Sequence, residues 1–209
     1  MAFNRQSEAV RVFFPDRKEL QLAKKGQGAS PAALNGEMEP RFNVTRFKLD
    51  YLTDPNGLGD MGFNLNKVDV GSKVQEDEKV LVCAYPSFQV QEFEAISEMH
   101  AAVENTGRSI IVFNGELERY RNGYYPALFY RKIAQLSKTF LPRFTQAYYF
   151  RNIKGRNGGI VFRVYGEPWQ VYVRTGNEAT DVVKVWQDDE RPSLVDVARN
   201  ILPNAQPIE

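Results

Sequence analysis

Two short apolar runs on either side of a helical pattern constrain the fold of this chain more than any other feature. The runs are KVLVCA, residues 79–84, and SIIVF, residues 109–113. Both lack polar alternation, which is typical of strands covered on both faces. Pro86 and Ser87 start the helical pattern between them and Gly107 is suited to cap it; its apolar positions are Val90, Phe93, Ile96, His100 and Val103. This order predicts a βαβ unit with parallel strands and a right-handed crossover.

The segments before this unit also carry strand and helix signals. Residues 10–14 form an apolar run that Pro15 and Asp16 stop, which predicts a strand and a turn. Residues 17–25 are suited to a short helix, and residues 42–49 to a strand. The inward-facing positions of that second strand are predicted to be Phe42, Val44 and Phe47. Residues 26–36 and 53–62 are rich in small and turn-forming residues and predict loops.

The C-terminal part predicts one helix, a meander of strands and a final helix. The first helix covers about residues 126–140 and ends at Pro142; its apolar stripe is Phe129, Ile133, Leu136 and Phe140. Strands are expected at residues 146–153, 160–165 and 169–174, with a further one at 182–186. Short glycine-containing links between them favour antiparallel hairpins. Ser193 is the expected N-cap of a helix over residues 194–201.

These elements together predict an α/β fold. We expect a single domain over residues 1–209, with a mixed sheet that is parallel at its centre and continues as a C-terminal antiparallel meander, and with helices packed on it. Residues 203–209 form a tail. A chain of 209 residues can bury a sizeable core without a disulfide or a metal.

Several classes of protein are disfavoured by composition. Cys83 is the only cysteine, so an internal disulfide is impossible, which fits a reducing compartment. No apolar run is long enough to span a bilayer, and the first ten residues lack the apolar core of a signal peptide. The single histidine, His100, lies on or beside a helical apolar stripe and is predicted to be structural.

The sequence shows no catalytic constellation. Residues 57–62 match GxGxxG as a string, but neither the strand nor the helix that a phosphate site needs flanks them. The glycine-rich run at residues 154–159 predicts a hairpin turn, with an anion or partner contact as the alternative. No nucleophile elbow or zinc pattern is present. We therefore predict a non-enzymatic protein without metal or cofactor.

Charge is strongly patterned although the whole chain carries only +1. Residues 108–163 contain eleven basic and two acidic residues, whereas residues 86–105 contain four acidic and no basic ones. The basic segment is interleaved with tyrosines, a composition that suits contact with a protein, with membrane headgroups or with RNA. The alternative is that these side chains form an ordinary solvated surface without a partner. No RNA-binding motif accompanies it, so no nucleic acid is expected. The predicted partner-binding residues are Arg119, Tyr120, Arg121, Tyr124, Tyr125, Arg131, Lys154, Arg156 and Trp169.

The alternative is a small-ligand site at the carboxyl ends of the two parallel strands. In open α/β sheets this is where the ligand crevice lies. The candidate residues are Tyr85, Ser87, Asn114 and Gly115. A nucleotide or another phosphorylated molecule would be the expected ligand, with a regulatory role.

Three stretches resemble a domain of unknown function found in cyanobacteria and plastids. They are VLVCAYPSFQVQEFEAISE, SIIVFNGELERYRNGYYP and KTFLPRFTQAYYFRNIKGRNGGIVFRVYGEPWQV, and VRVFFPDRKEL near the start is also similar. That family includes chloroplast low-photosystem-II-accumulation factors, and a similar domain extends a plastid adenylate kinase. Members usually have a further helix and strand before the VRVFFPD-like strand, and plant members a transit peptide. Their absence here leaves a processed chain and a partial chain as alternatives.

The resemblance implies a non-enzymatic accessory protein of the thylakoid membrane that assists assembly of photosystem II or docks onto it or its antenna. A stable linker subunit of a photosystem supercomplex is a close variant. The implied partners are photosystem or antenna subunits, with peripheral membrane contact. The implied location is the chloroplast stroma or the stromal face of the thylakoid, or the equivalent cyanobacterial compartment. The resemblance carries over no catalytic residues.

Overall fold

The fold comes from a computed structural model that describes part of the chain. The described residues are 9–25, 47–54, 68–86, 90–115, 117, 120, 128–155, 157–176, 178 and 180–208. They belong to two compact units, Met1–Arg143 and Phe144–Glu209, and each unit has its own sheet. The predicted loop at 26–36 and residues 55–62 of the predicted loop at 53–62 lie outside the described residues, whereas Thr53 belongs to a strand.

Parallel strands with intervening helices make up the N-terminal unit. Its elements are β1 (Val10–Asp16), α1 (Arg17–Lys25), β2 (Lys48–Thr53), β3 (Val80–Ala84), α2 (Val90–Val103), β4 (Ser109–Phe113) and α3 (Arg131–Thr139), with short 3-10 turns at Gly71–Lys73 and Leu141–Arg143. All four strands are parallel, in the order β2-β1-β3-β4. The predicted βαβ unit is therefore confirmed as β3-α2-β4.

The parallel sheet is apolar on both faces because alternate side chains of its central strands point to opposite sides. On one face Val12 and Phe14 pack in a cluster with Leu20 of α1. On the other face Phe13 and Cys83 are fully buried. Helix α2 contributes a buried apolar side that includes Phe93, Ile96, Met99 and Val103. The central strands β1 and β3 are thus covered on both faces, as the run KVLVCA predicts. The same prediction for SIIVF was wrong: β4 is an edge strand, and Ile111 and Phe113 on one of its faces are 48% and 65% exposed.

Consecutive antiparallel strands make up the C-terminal unit. Its elements are β5 (Tyr148–Ile153), β6 (Gly159–Val164), β7 (Trp169–Arg174), β8 (Val182–Asp188) and α4 (Leu194–Asp196), which continues as a π-helical turn at Val197–Ile201. The strand order is β5-β6-β7-β8. The core of this unit lies on one side of the sheet and consists of Val161, Trp169, Val171, Val197 and Leu202.

The predicted α/β class, its parallel strands and its C-terminal meander are confirmed. The hydrogen bonds divide the strands between two four-stranded sheets, whereas the sequence had suggested one continuous mixed sheet. The physical reason is locality: short hairpin turns pair β5 to β8 with one another, and α3 separates them along the chain from β4.

Two element boundaries differ from the sequence predictions. The second strand runs from Lys48 to Thr53, so it begins near the end of the predicted segment, and Phe47 lies exposed before it. Phe42 and Val44 lie outside the described residues. Helix α3 begins at Arg131, and Phe129 lies in a turn before it, where 77% of its surface is exposed. The prediction that Phe129 belongs to the buried stripe was wrong, although Ile133 and Phe140 are buried.

Candidate functional site

The acidic segment 86–105, which contains α2, pairs with part of the basic segment within the N-terminal unit. Lys132 lies 3.1 Å from Glu94 and 3.7 Å from Glu98. Arg143 donates a hydrogen bond to Glu104, which lowers the pKa of that carboxyl group. The charge imbalance between residues 86–105 and 108–163 is therefore smaller at the surface than along the sequence.

Other basic residues remain available to a partner. Arg131 and Lys138 on α3 are exposed, as are Arg151 on β5 and Lys154 in the following turn. None of these four makes an ion pair within the described part of the chain. Arg131 and Lys154 were predicted partner-binding residues. Five others, Arg119, Arg121, Tyr124, Tyr125 and Arg156, lie outside the described residues.

The remaining predicted anchors, Tyr120 and Trp169, are buried. The Tyr120 ring stacks on Phe93 with 4.3 Å between the ring centres. Only 3% of Trp169 is exposed, and the guanidinium groups of Arg163 and Arg191 lie 5.2 and 5.1 Å from its ring centre. Both side chains therefore stabilise their own units through packing and cation–π contacts.

An aromatic surface that the sequence analysis did not single out lies on the C-terminal sheet. Pairing of Tyr148 with Val164 and of Phe150 with Phe162 places these four side chains on one face, opposite the core of the unit. Tyr148 is 63% and Phe150 54% exposed. The pairing register continues this face, here called the aromatic sheet face, across all four strands. Its residues are Tyr148, Phe150, Asn152, Ile160, Phe162, Val164, Gln170, Tyr172, Arg174, Val182, Lys184 and Gln187.

The aromatic sheet face has no carboxylate at any of these strand positions, and it carries two cations. Arg174 donates to the Asn152 side chain at 3.3 Å, and Lys184 donates to Gln187 at 3.1 Å. Both cations thus donate to neutral amides, and neither forms an ion pair with a carboxylate of a described residue. A surface of exposed rings, amides and cations matches the composition of protein interfaces. Neither YYFRNI nor GIVFRV alternates strictly between apolar and polar residues, so periodicity carries no signal for this face.

The alternative ligand crevice lies at the carboxyl ends of the parallel strands. Strand order β2-β1-β3-β4 creates a topological switch point between β1 and β3, where open α/β sheets bind ligands. Tyr85 follows β3 there with a φ of +34°, and Asn114 follows β4 with a φ of +53°. Gly115 packs against Pro86 and Val112, so closely that a Cβ would lie 2.5 Å from a Val112 methyl group. Ser87 lies outside the described residues.

Two carboxylates at this crevice, Asp16 and Glu19, disfavour a phosphorylated ligand, and the neighbouring cation Arg17 is paired with Asp54 at 2.7 Å. Asp16 accepts a hydrogen bond from the Glu19 amide at 2.8 Å and so caps the start of α1, where a phosphate would otherwise bind. The Tyr85 hydroxyl donates to Glu19 at 3.4 Å. Burial, followed by the charges of Glu19 and Asp16, raises the pKa of Tyr85 to about 12. The crevice therefore presents carboxylates and a protonated phenol.

Residues for a metal centre or a membrane span are not found in the parts of the chain that the structure describes. No three His, Cys, Asp or Glu side chains in those parts are grouped to hold a metal ion. No helix there is long and apolar enough to cross a membrane. Burial raises the pKa of Cys83 to about 12, so the thiol is a poor nucleophile.

Comparison with known proteins gives one match. The model of the family described as domain of unknown function DUF1995 matches residues 1–199. No similar chain was found among curated proteins or among solved structures. Because the match covers nearly the whole chain, with its parallel sheet and its antiparallel meander, the protein belongs to the DUF1995 family.

Proposed function

We propose that this chain is a non-enzymatic accessory protein that docks onto photosystem II or its antenna at the stromal face of the thylakoid. The observation that carries the proposal is the aromatic sheet face, whose exposed rings lie on a face without a carboxylate at any of its strand positions. The resemblance of the chain to low-photosystem-II-accumulation factors supplies the class of partner.

The mechanism follows from the chemistry of this surface. Arg174 and Lys184 attract an acidic region of the partner, which raises the rate of encounter at low salt. Burial of Tyr148 and Phe150 then supplies most of the affinity, because aromatic side chains with few rotatable bonds lose little entropy on binding. Phe162 is half-buried beside Tyr148, 5.6 Å between ring centres, and holds the Tyr148 ring in place.

Recovery of partners from solubilised thylakoids tests the proposal. We expect tagged protein to recover photosystem or antenna subunits at low salt, and less at moderate salt. The variant Y148S/F150S should recover at least about tenfold less, since loss of two interface anchors costs more than about 1.4 kcal/mol. The control F113S removes an exposed ring from β4 of the other unit. Equal recovery by Y148S/F150S and wild type would refute docking through this face.

If folded wild-type protein recovers no thylakoid partner, the alternative function is favoured, a small-ligand site at the β1–β3 switch point. Asp16 and Glu19 then indicate a cationic or hydroxylated ligand in preference to a nucleotide, since both carboxylates would repel phosphate. A stable linker subunit and a transient assembly factor would both recover partners. Co-purification at a fixed stoichiometry separates them, because only a linker stays with the mature complex.

A further inference from the structure

Leu128, Phe129 and Tyr130 form an exposed apolar tip immediately before α3. Leu128 is 73% and Phe129 77% exposed, and Tyr130 is also exposed. Single exposed apolar side chains are ordinary on protein surfaces, but three in succession beside a basic helix are unusual. The tip is too small for a protein interface, which needs about 800 Å² on each side.

Helix α3 places basic side chains opposite its buried side. Ile133 and Phe140 are buried, while Arg131 and Lys138 are exposed. Arg131 and Lys138 are seven residues apart, so they lie on nearly the same line along the helix, about 10 Å from each other. Ile133 is rotated by about 160° from this line. The two cations therefore form a basic stripe that begins directly after the apolar tip.

Within the described part of the chain, no carboxylate pairs with the two cations of the basic stripe. Residues 128–143 contain four basic residues and no acidic one. Lys132 is paired with Glu94 and Glu98 of α2 and Arg143 with Glu104 just after that helix, whereas Arg131 and Lys138 have no ion-pair partner among the residues that the structure describes.

We propose that the apolar tip and the basic stripe dock the protein onto an anionic lipid bilayer. Leu128 and Phe129 enter the boundary between headgroups and acyl chains, and the Tyr130 ring suits the headgroup level. Arg131 and Lys138 bind headgroup phosphates from the helix surface. The inference goes beyond the proposed function, because lipid contact uses the N-terminal unit whereas the aromatic sheet face belongs to the C-terminal unit.

Sedimentation of the full chain with lipid vesicles tests docking through the apolar tip and the basic stripe in the absence of any photosystem protein. We expect binding to vesicles of phosphatidylcholine with phosphatidylglycerol, and none to phosphatidylcholine alone. R131A/K138A should lower the partition coefficient by about thirtyfold, which is about 2 kcal/mol at about 1 kcal/mol for each cation. L128S/F129S should lower it by about tenfold or more. All four side chains are exposed, so the fold should be retained.

Matched variants in the other unit serve as controls. R151A/K154A removes the same charge from exposed residues that form no ion pair with any described residue, and Y148S/F150S removes the same kind of apolar surface. We expect both to bind vesicles like wild type. An equal loss in the controls, undiminished binding by the tip and stripe variants, or no binding by wild type would overturn the proposal.

A fluorophore at position 128 gives a second, direct readout. In L128C the new thiol is exposed, whereas Cys83 is fully buried, so labelling is selective. An environment-sensitive dye at this position should brighten and shift to the blue on anionic vesicles, because insertion removes it from water. An unchanged spectrum with vesicle-bound protein would show that another surface makes the contact. Failure of partner recovery together with vesicle binding would refute the proposed function alone.

Discussion

At the scale of single residues, a buried charge network stands out in the N-terminal unit. Arg11 donates through Nε to Glu78 at 2.8 Å and pairs with Asp50 at 3.1 Å. The Glu78 side chain is fully buried and also accepts from the Gln75 amide at 3.0 Å. The network lies at the amino ends of the parallel strands, where Arg11 is in register with Lys48 and Leu81. Its position, opposite the ligand crevice, indicates a structural role.

Removing one partner of this network should cost far more than removing both. R11M leaves the Glu78 carboxylate buried and poorly compensated, with Lys48 at 3.4 Å as its remaining cation. We expect a loss of about 3 kcal/mol in the free energy of unfolding. R11M/E78L should recover at least about 1 kcal/mol of this, because it removes the buried charge as well.

The loss of stability can be measured by urea unfolding monitored through labelling of the Cys83 thiol. This probe reports on the N-terminal unit, because Cys83 lies on β3 beside β1, the strand that carries Arg11. The conservative variant R11K keeps a cation at this position and serves as the control. A double variant that is less stable than R11M would contradict the interpretation of the network as a buried, mutually dependent pair.

At the scale of elements, local sequence signals decide where helices begin. Ser193 has extended backbone angles, and its hydroxyl accepts a hydrogen bond from the Asp196 amide at 3.0 Å, so the predicted N-cap of α4 is confirmed. Val197 and Leu202 then enter the core of the C-terminal unit. The cap therefore fixes the start of the helical segment whose later residues pack in the core of the unit.

Loss of this cap should destabilise the C-terminal unit measurably. S193A removes the acceptor for the Asp196 amide and should lower the free energy of unfolding by about 1 kcal/mol. S193D keeps an acceptor and should remain close to wild type. Urea unfolding followed by tryptophan fluorescence is the measurement. Identical midpoints for S193A and wild type would mean that water replaces the cap without cost.

At the scale of the whole molecule, the two units have separate sheets and different intrinsic probes. Trp169 and Trp186 are the only tryptophans, and both lie in the C-terminal unit. Cys83 is the only cysteine, and it lies in the N-terminal unit. Fluorescence and thiol labelling therefore report on different units of one unmodified chain.

We expect these two probes to give different unfolding midpoints in urea, because separate cores need not lose their packing together. S193A should shift the fluorescence midpoint more than the labelling midpoint, and R11M should do the opposite. The two variants control for each other. Coincident transitions, shifted equally by either variant, would show that the chain unfolds as one cooperative body.

The sequence alone determined the features that depend on local patterning. Unalternating apolar runs identified β3 and β4, and the helical spacing of apolar residues between the two runs predicted that the strands are parallel. Turn residues and short links identified the antiparallel meander, and Ser193 identified the start of α4. These predictions succeeded because periodicity, turn chemistry and capping act between residues that are close along the chain.

The tertiary structure decided what depends on contacts distant in sequence. Phe129 fits a helical stripe by spacing, yet it is exposed because α3 begins only at Arg131. Trp169 has the character of an interface anchor, but arginines 6 residues before and 22 residues after it cover its ring. Pairing register alone brings the rings of the aromatic sheet face together. Burial and charge pairing are properties of the assembled fold, so a single sequence cannot assign them.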